Sequence, residues 1–374
     1  MYVSLHLSPQ SRGPHDDAAT IETLVEKAVQ AERAGVASIG LTEHHLAGFN
    51  TYVDPFMMGA HLAGKLDTAY ISVTVAQMAL HHPLKVVESC NLLDVLTRGR
   101  SLVALAPGSA SPTELQAFGA QDLDRNQVTR ERIDAMLRAW DWDGDPAGVD
   151  VSTSVDRGHV TARISPASYR LPRPLIARAT RTPETIQRLG RVGMPVIMGQ
   201  WLTRDGDSRA DLALYTDALE AGDVDDVTAA ECLRWLGFGL TIVVAPTQAG
   251  AERRWNEYVE VGGEGPQPGR LGGAAVWEKE WTNREVARAS GSLVGSPSRI
   301  VEEIQEMQAA GANHVRIIPA LAAGRPEDRD EVFALILEDV LPHIDAQQLP
   351  DPVLTRGGAS APPAQDQTAS SALV

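Results

Sequence analysis

The chain has 374 residues, 43% of them hydrophobic and 22% charged, with a net charge of −16. That composition is globular with a large core; it excludes a nucleic-acid binder, which needs a basic face, and a membrane-spanning chain, which needs about 18 consecutive apolar residues. Cys90 and Cys232 are the only cysteines, so neither a disulfide framework nor a CxxC metal site is expected, and a reducing, cytoplasmic compartment is. The N-terminal run from Met1 to Leu7 lacks the charged and apolar regions of a signal peptide.

Strand and helix alternate along most of the chain. Tyr2 to Leu7 alternates as a strand does, and Thr20 to Ala34 carries Ile21, Leu24, Val25, Ala28 and Val29 at helical spacing, with Gly35 to end it. Ala37 to Leu41 predicts the second strand, Asp54 to Lys65 a helix, and Ile71 to Val75 the third strand. A helix after Pro83 ends at Gly99, and Leu102 to Leu105 is the fourth strand. A helix follows over Arg125 to Trp142, then a polar excursion from Asp143 to Pro172 that has room for a hairpin.

Pro174 to Ala177 predicts the fifth strand and Thr182 to Arg191 a helix, with Thr182 as N-cap and Pro183 at its first position. Pro195 to Met198 is the sixth strand, Asp207 to Ala221 a helix, Gly239 to Val244 the seventh strand, and Thr247 to Val261 a helix. Gly262 to Gly291, rich in glycine and holding Trp277 and Trp281, reads as a lid or loop. Ser296-Pro297 opens a helix to Ala310, Val315 to Pro319 is the eighth strand, and Asp330 to Ile344 the last helix. Eight such repeats predict a (β/α)8 TIM barrel over residues 1–345 with insertions after strands four and seven, followed by a disordered tail over 346–374. A doubly wound sheet is the alternative; no GxGxxG follows a strand to support a dinucleotide fold.

A barrel places its chemistry at strand C-termini. Thr42-Glu43-His44-His45 follows strand two. An imidazole there can move a proton; a structural hydrogen-bond cluster is the lesser alternative. Adjacent histidines on an extended segment point opposite ways, which counts against a metal. Thr74-Val75-Ala76-Gln77-Met78 ends strand three, where small and β-branched residues suit a flat aromatic ligand or simple core packing. His81-His82-Pro83 follows, with His82 as a helix start. Gly108, after strand four, allows close backbone approach or a tight turn. Arg178-Ala179-Thr180-Arg181-Thr182-Pro183 joins two guanidiniums to a helix N-terminus, a plausible phosphate cradle or plain capping. Arg125 is a further candidate cation, or one half of an exposed ion pair.

These residues resemble the bacterial luciferase-like flavin monooxygenase family. The resemblance rests on Glu43-His44-His45, on Pro83-Leu84-Lys85 with Glu88, Asn91-Leu92-Leu93-Asp94 and Thr97-Arg98-Gly99-Arg100, on Phe118-Gly119 with Arg125, on Gly295-Ser296-Pro297 and on Val340-Leu341-Pro342, over about residues 1–345. It implies a reduced-FMN-dependent monooxygenase acting through a flavin C4a-peroxide on an aldehyde, ketone or other small oxidisable compound. His44 is then the catalytic acid/base group, Glu43 and His45 its flavin-site support, and Thr74-Val75 an unusual cis peptide against the flavin ring. Arg125, Arg181 and Thr182 lie at or near phosphate-contacting positions. A separate flavin reductase, dioxygen and a homodimer complete the implied partners. Pro107 stands where the luciferase catalytic chain has a basic residue, Ala106 where it has a reactive cysteine, and Arg181 replaces an acidic residue. These departures narrow the implied activity from light emission to oxygenation. An F420-dependent hydride transfer on the same barrel and a non-catalytic flavin-binding subunit are the alternatives.

Overall fold

The structure, a computed structural model, describes residues 1–9, 11, 13–46, 50–108, 111–202, 207–264, 292–319 and 326–352. Nine strands form one parallel sheet: β1 (Tyr2–His6), β2 (Ser38–Leu41), β3 (Tyr70–Gln77), β4 (Ser101–Ala106), β7 (Ile176–Ala179), β8 (Val196–Ile197), β9 (Gly237–Val244), β10 (Ser292–Gly295) and β11 (His314–Pro319). Their order across the sheet is β10-β9-β11-β1-β2-β3-β4-β7-β8. From β1 through β8 each strand lies beside its predecessor in the sheet, without the switch of direction next to the first strand that a doubly wound sheet shows; β10 alone is added on the other side of β9 from β11. The sheet curls round on itself: Gln200, just past β8, bridges Gly239 of β9 in parallel, with Gly239 N donating to Gly199 O at 2.9 Å and Trp201 N to Gly239 O at 2.9 Å. The excursion after β4 holds the antiparallel pair β5 (Val149–Asp150) and β6 (His159–Val160), where a hairpin is expected.

The helices are α1 (Asp17–Arg33), α2 (Pro55–Ala63), α3 (Pro83–Leu96), α4 (Pro112–Ala117), α5 (Arg125–Asp141), α6 (Pro183–Arg191), α7 (Ser208–Glu220), α8 (Asp226–Trp235), α9 (Gln248–Glu264), α10 (Pro297–Ala309) and α11 (Pro326–Ala334). None of the described helices is long and apolar enough to cross a membrane. Three elements depart from the expectation: α4 and α8 lie in stretches with no predicted helix, and β10 makes a ninth strand where eight are expected. The strand expected from Gly239 starts two residues earlier because Gly237 belongs to it. A Cβ at Gly237 would lie 1.7 Å from the His314 carbonyl oxygen, so only glycine lets β9 and β11 approach there.

Alternation along the strands separates two environments. Leu5, Ile39, Leu41, Ile71, Val73, Leu105, Leu240, Ile242, Val315 and Ile317 join the helices' Leu24, Leu62, Val87 and Ile304 in the main core. The intervening residues are small or polar and pair with one another. Ser38 donates to Ser72 at 2.9 Å, and Ser4 meets His314 Nε2 at 2.7 Å. His314 Nδ1 faces the Arg234 carbonyl at 3.1 Å, and a carbonyl only accepts. The proton therefore sits on Nδ1 and Ser4 donates to Nε2. The described chain also runs past the expected domain end at 345. Gln347 N donates to Met1 O at 3.0 Å, Leu349 is buried, and Tyr70 donates its hydroxyl to Pro350 O at 2.9 Å. Residues 353–374 of the expected tail lie outside the described residues.

Candidate active site at the strand ends

Just beyond β2 the side chains of Glu43 and His45 meet each other, while His44 meets Glu114. Glu43 is 3% exposed and its carboxylate is fully used. Oε1 accepts from His45 Nε2 at 2.8 Å and His81 Nε2 at 2.5 Å, and Oε2 accepts from Gln77 N at 2.7 Å. Gln77 returns its side-chain amide to the Glu43 carbonyl at 2.8 Å, which locks the ends of β2 and β3 together. Burial opposes ionisation of Glu43. The hydrogen bonds from His45 and His81, the charge of His81 and the Gln77 N–H outweigh it and hold the carboxyl down at about 2. The hydrogen bond to Glu43 raises His45 above its ordinary value against the effect of burial, with help from the charges of Glu43, Glu114 and Asp54. Phe118 tilts against the His45 ring at 4.7 Å.

His44 Nδ1 lies 3.3 Å from Glu114 Oε1, and the same oxygen accepts the His45 backbone N–H at 2.7 Å. Glu114 is completely buried, while the His44 side chain is 27% exposed. A carboxylate beside Nδ1 orients the His44 ring. Sequence reasoning missed Glu114. The pattern Ser111-x-x-Glu114 is a helix-start signature, and Ser111 Oγ does accept from Glu114 N at 3.5 Å, but nothing local marks the side chain as reaching residue 44. His81 was equally unassigned, whereas His82 caps α3 as expected, accepting from Leu84 N at 3.3 Å.

Thr74-Val75 is a non-proline cis peptide, at the position the resemblance implies. Thr74 Oγ1 is 3.1 Å from His6 Nε2 in the sheet interior. Burial first, then the charge of Arg316, pushes His6 down to about 3, so its ring is neutral. Arg316, itself 3% exposed, donates from Nη2 to Met198 O at 2.8 Å and Gly237 O at 2.6 Å. Neither His6 Nδ1 nor Arg316 Nη1 has a hydrogen-bond partner among the described residues. Ala104, Ala106 and Val75 line the same face with little bulk. Gly108, at φ 89°, closes against Gln77: a Cβ there would fall 2.3 Å from Gln77 Oε1.

The expected phosphate residues each have partners of their own within the protein. Arg125, at the start of α5, donates to Gly108 O at 3.1 Å and so reaches the loop after β4. Arg181 is ion-paired with Asp211 at 2.7 Å and donates to Gln200 O at 3.1 Å. Thr182 opens α6 but makes no side-chain cap; its N–H instead donates to Thr180 Oγ1 at 3.1 Å. Arg178 has no ion pair among the described residues and donates to Leu105 O at 2.9 Å. Burial, then the charges of Arg188 and Arg130, lower it to about 10, the signature of a cation lacking a counter-charge. Trp201 packs edge-on against Phe238 and donates to Glu303 at 2.7 Å, so it serves the core, as does buried Trp255. Trp277, Trp281 and the expected Gly262–Gly273 lid lie wholly or mostly outside the described residues.

The sequence profile of the luciferase-like monooxygenases matches residues 1–314. The alkanal monooxygenase alpha chain of the Kryptophanaron alfredi symbiont is 23% identical over 217 residues, covering 57% of this chain and 58% of the relative. The alignment thus spans little more than half the length of that curated relative. Among solved structures, a monooxygenase from Streptomyces bottropensis superposes with a TM-score of 0.71 at 20% identity, covering 92% of this chain and 99% of that one. The oxygenating constituent of 3,6-diketocamphane monooxygenase from Pseudomonas putida, solved with FMN, gives 0.66 at 17% identity over 93% and 100%. An F420-dependent secondary alcohol dehydrogenase shares the fold at 0.61 and 16% identity, over 92% of this chain and 98% of that one. By the extent of the profile match, the chain belongs to the luciferase-like monooxygenase family.

Proposed function

We propose that the chain is the oxygenating component of a two-component flavin monooxygenase, built on a closed barrel and acting on a small organic substrate such as an aldehyde or ketone. The observation that carries this reading is the pairing of partly exposed His44 with fully buried Glu114 at the strand ends. An oriented, solvent-accessible imidazole at the strand ends is what proton transfer to or from a bound molecule requires. The residues present fit a flat polar ring. The wall at Thr74-Val75, Ala104 and Ala106 is small, and two buried polar atoms, His6 Nδ1 and Arg316 Nη1, have hydrogen-bonding capacity to spare.

Bound reduced FMN would supply the activation of dioxygen, chemistry that no side chain here can perform. The chain's own part is positioning and proton management. Glu43, His45, Thr74 and Val75 would hold and flank the ring. Arg125, Arg178 and the backbone at Thr180 to Thr182 would face the phosphate; Arg181, held by Asp211, would set the shape of that corner. His44 would give or take the proton at Nε2 while Glu114 fixes its ring. A separate reductase would deliver the reduced flavin, as the relative named an oxygenating constituent suggests for its own system. A homodimer belongs to this reading; Met57 on α2 and Leu92 and Leu96 on α3 are exposed apolar residues on two helices in contact.

The test is substrate-dependent oxygen consumption with reduced FMN, compared with absorbance change with F420 in the absence of oxygen. Oxygen use with reduced FMN is the expected result. Turnover of F420 alone would favour hydride transfer, and tight FMN binding without turnover across aldehydes, ketones and aromatics would favour a non-catalytic subunit.

A further inference from the structure

We propose that Glu43, His45 and His81 form a binding site for a divalent cation of the zinc class. The side chains of His44 and His45 turn to different partners, which argues against a metal at that adjacent pair. Glu43 and His45 meet each other, however, and the turn after β3 delivers His81 to the same point. One ligand atom from each of Glu43, His45 and His81 lies within 4.8 Å of the others. Two imidazole nitrogens and one carboxylate oxygen suit zinc and its borderline neighbours, and three protein ligands leave a position open for water.

Two further features favour a cation. The Gln77 N–H holds Glu43 Oε2, an outer hydrogen bond of the kind that orients metal ligands. The Glu43 side chain is 2% exposed while those of His45 and His81 are 16% and 28% exposed, so the cluster opens toward solvent on its imidazole side.

At present both Nε2 atoms donate protons to one oxygen. On binding, each ring gives up its Nε2 proton, to its own Nδ1 or to solvent, and the cation takes their place. Nitrogen–oxygen separations of 2.8 and 2.5 Å would open to about 3.3 Å, the span set by metal–ligand bonds of roughly 2.0–2.1 Å at a tetrahedral angle. Rotation of the two partly exposed rings is enough.

The site shares Glu43 and His45 with the flavin reading but does not rest on it, and its test uses no flavin. Purified chain is titrated with Co(II), read by its visible ligand-field absorption, and the Co(II) is then displaced with Zn(II). One equivalent should saturate the wild type. His81→Gln, which keeps an amide donor toward Glu43, should lose the signal, and His61→Gln, a change at an exposed histidine on α2, should keep it. No stoichiometric signal, an unchanged signal in His81→Gln, or loss in His61→Gln overturns the proposal. Should His81→Gln fail to fold by circular dichroism, X-ray absorption of the zinc-loaded wild type decides. Two imidazoles and a carboxylate oxygen support the site, and fewer than two imidazoles overturn it.

Discussion

Glu43 is a carboxylate kept ionised inside the protein by three donors, and this makes it a pH-dependent part of the fold. Its native pKa of about 2 lies below the ordinary 4.5. A depressed carboxyl contributes stability that is present above the unfolded value and lost as pH falls through the folded one. The difference corresponds to about 3 kcal/mol, lost between about pH 5 and pH 2. His45 works in the other sense: its raised pKa contributes stability below its ordinary value that is lost as pH rises through the native one. Urea midpoints of wild type and Glu43→Gln, followed from pH 6 down to pH 3, should therefore converge. Parallel curves would show that Glu43 carries no such linkage.

His44 belongs to the same scale. His44→Ala should lower substrate oxidation by roughly 10²-fold or more, the usual worth of a positioned acid/base group, while FMN binding changes little. Equal losses in both would make His44 a binding residue instead. Glu43, His44 and His45 were legible because three polar residues in a row just past a buried strand are costly without a purpose. Glu114 and His81 were not. Each touches the cluster only through tertiary folding, across sequence separations of 70 and 38 residues, and neither lies in a pattern that announces this.

At the scale of elements, the strand ends are joined by side chains that depend on backbone fit. Gly108 has a positive φ and no space for a Cβ, whose nearest neighbour would be Gln77 Oε1. Gly108→Ala should displace Gln77 and loosen its hold on Glu43. The expected cost is about 1–3 kcal/mol of stability together with weaker flavin binding, read by thermal unfolding and fluorescence titration. Normal binding would place the Gln77–Glu43 tie outside the site. Elements with clear periodicity, such as α1 and α5, were readable. α8 was not, because Asp226–Trp235 carries only Cys232 and Trp235 as buried residues and shows the sequence a polar face. β10 is four residues long, too short to stand out from the glycine-rich segment before it. The helix start at Thr182 was read correctly, but its expected side-chain cap is absent.

At the scale of the whole molecule, the sheet carries two cores: an apolar one under the helices and a small, polar one inside the curl. The second explains why Ser4, His6, Ser38, Ser72 and His314 alternate with apolar residues in strands buried on both faces. Such residues blur the apolar runs by which parallel strands are usually recognised. The C-terminal segment closes the N-terminal end of this assembly through Gln347, Leu349 and Pro350. A chain ending at residue 345 should be less stable than one ending at 352 by about 2–4 kcal/mol, for the lost burial of Leu349 and two hydrogen bonds. Differential scanning calorimetry of the two truncations measures this directly, and equal melting temperatures would show that the segment is merely laid on the surface.

The central claim is that the strand ends around His44 and Glu43 bind reduced flavin for use with oxygen. The most direct measurement is an anaerobic titration of the chain with reduced FMN and, separately, with F420, followed by admission of oxygen with a panel of aldehydes and ketones. The account predicts one equivalent of reduced FMN bound per chain, weak or no binding of F420, and oxygen incorporated into a substrate. Binding of F420 in preference to reduced FMN, with substrate turnover before any oxygen is admitted, would contradict it.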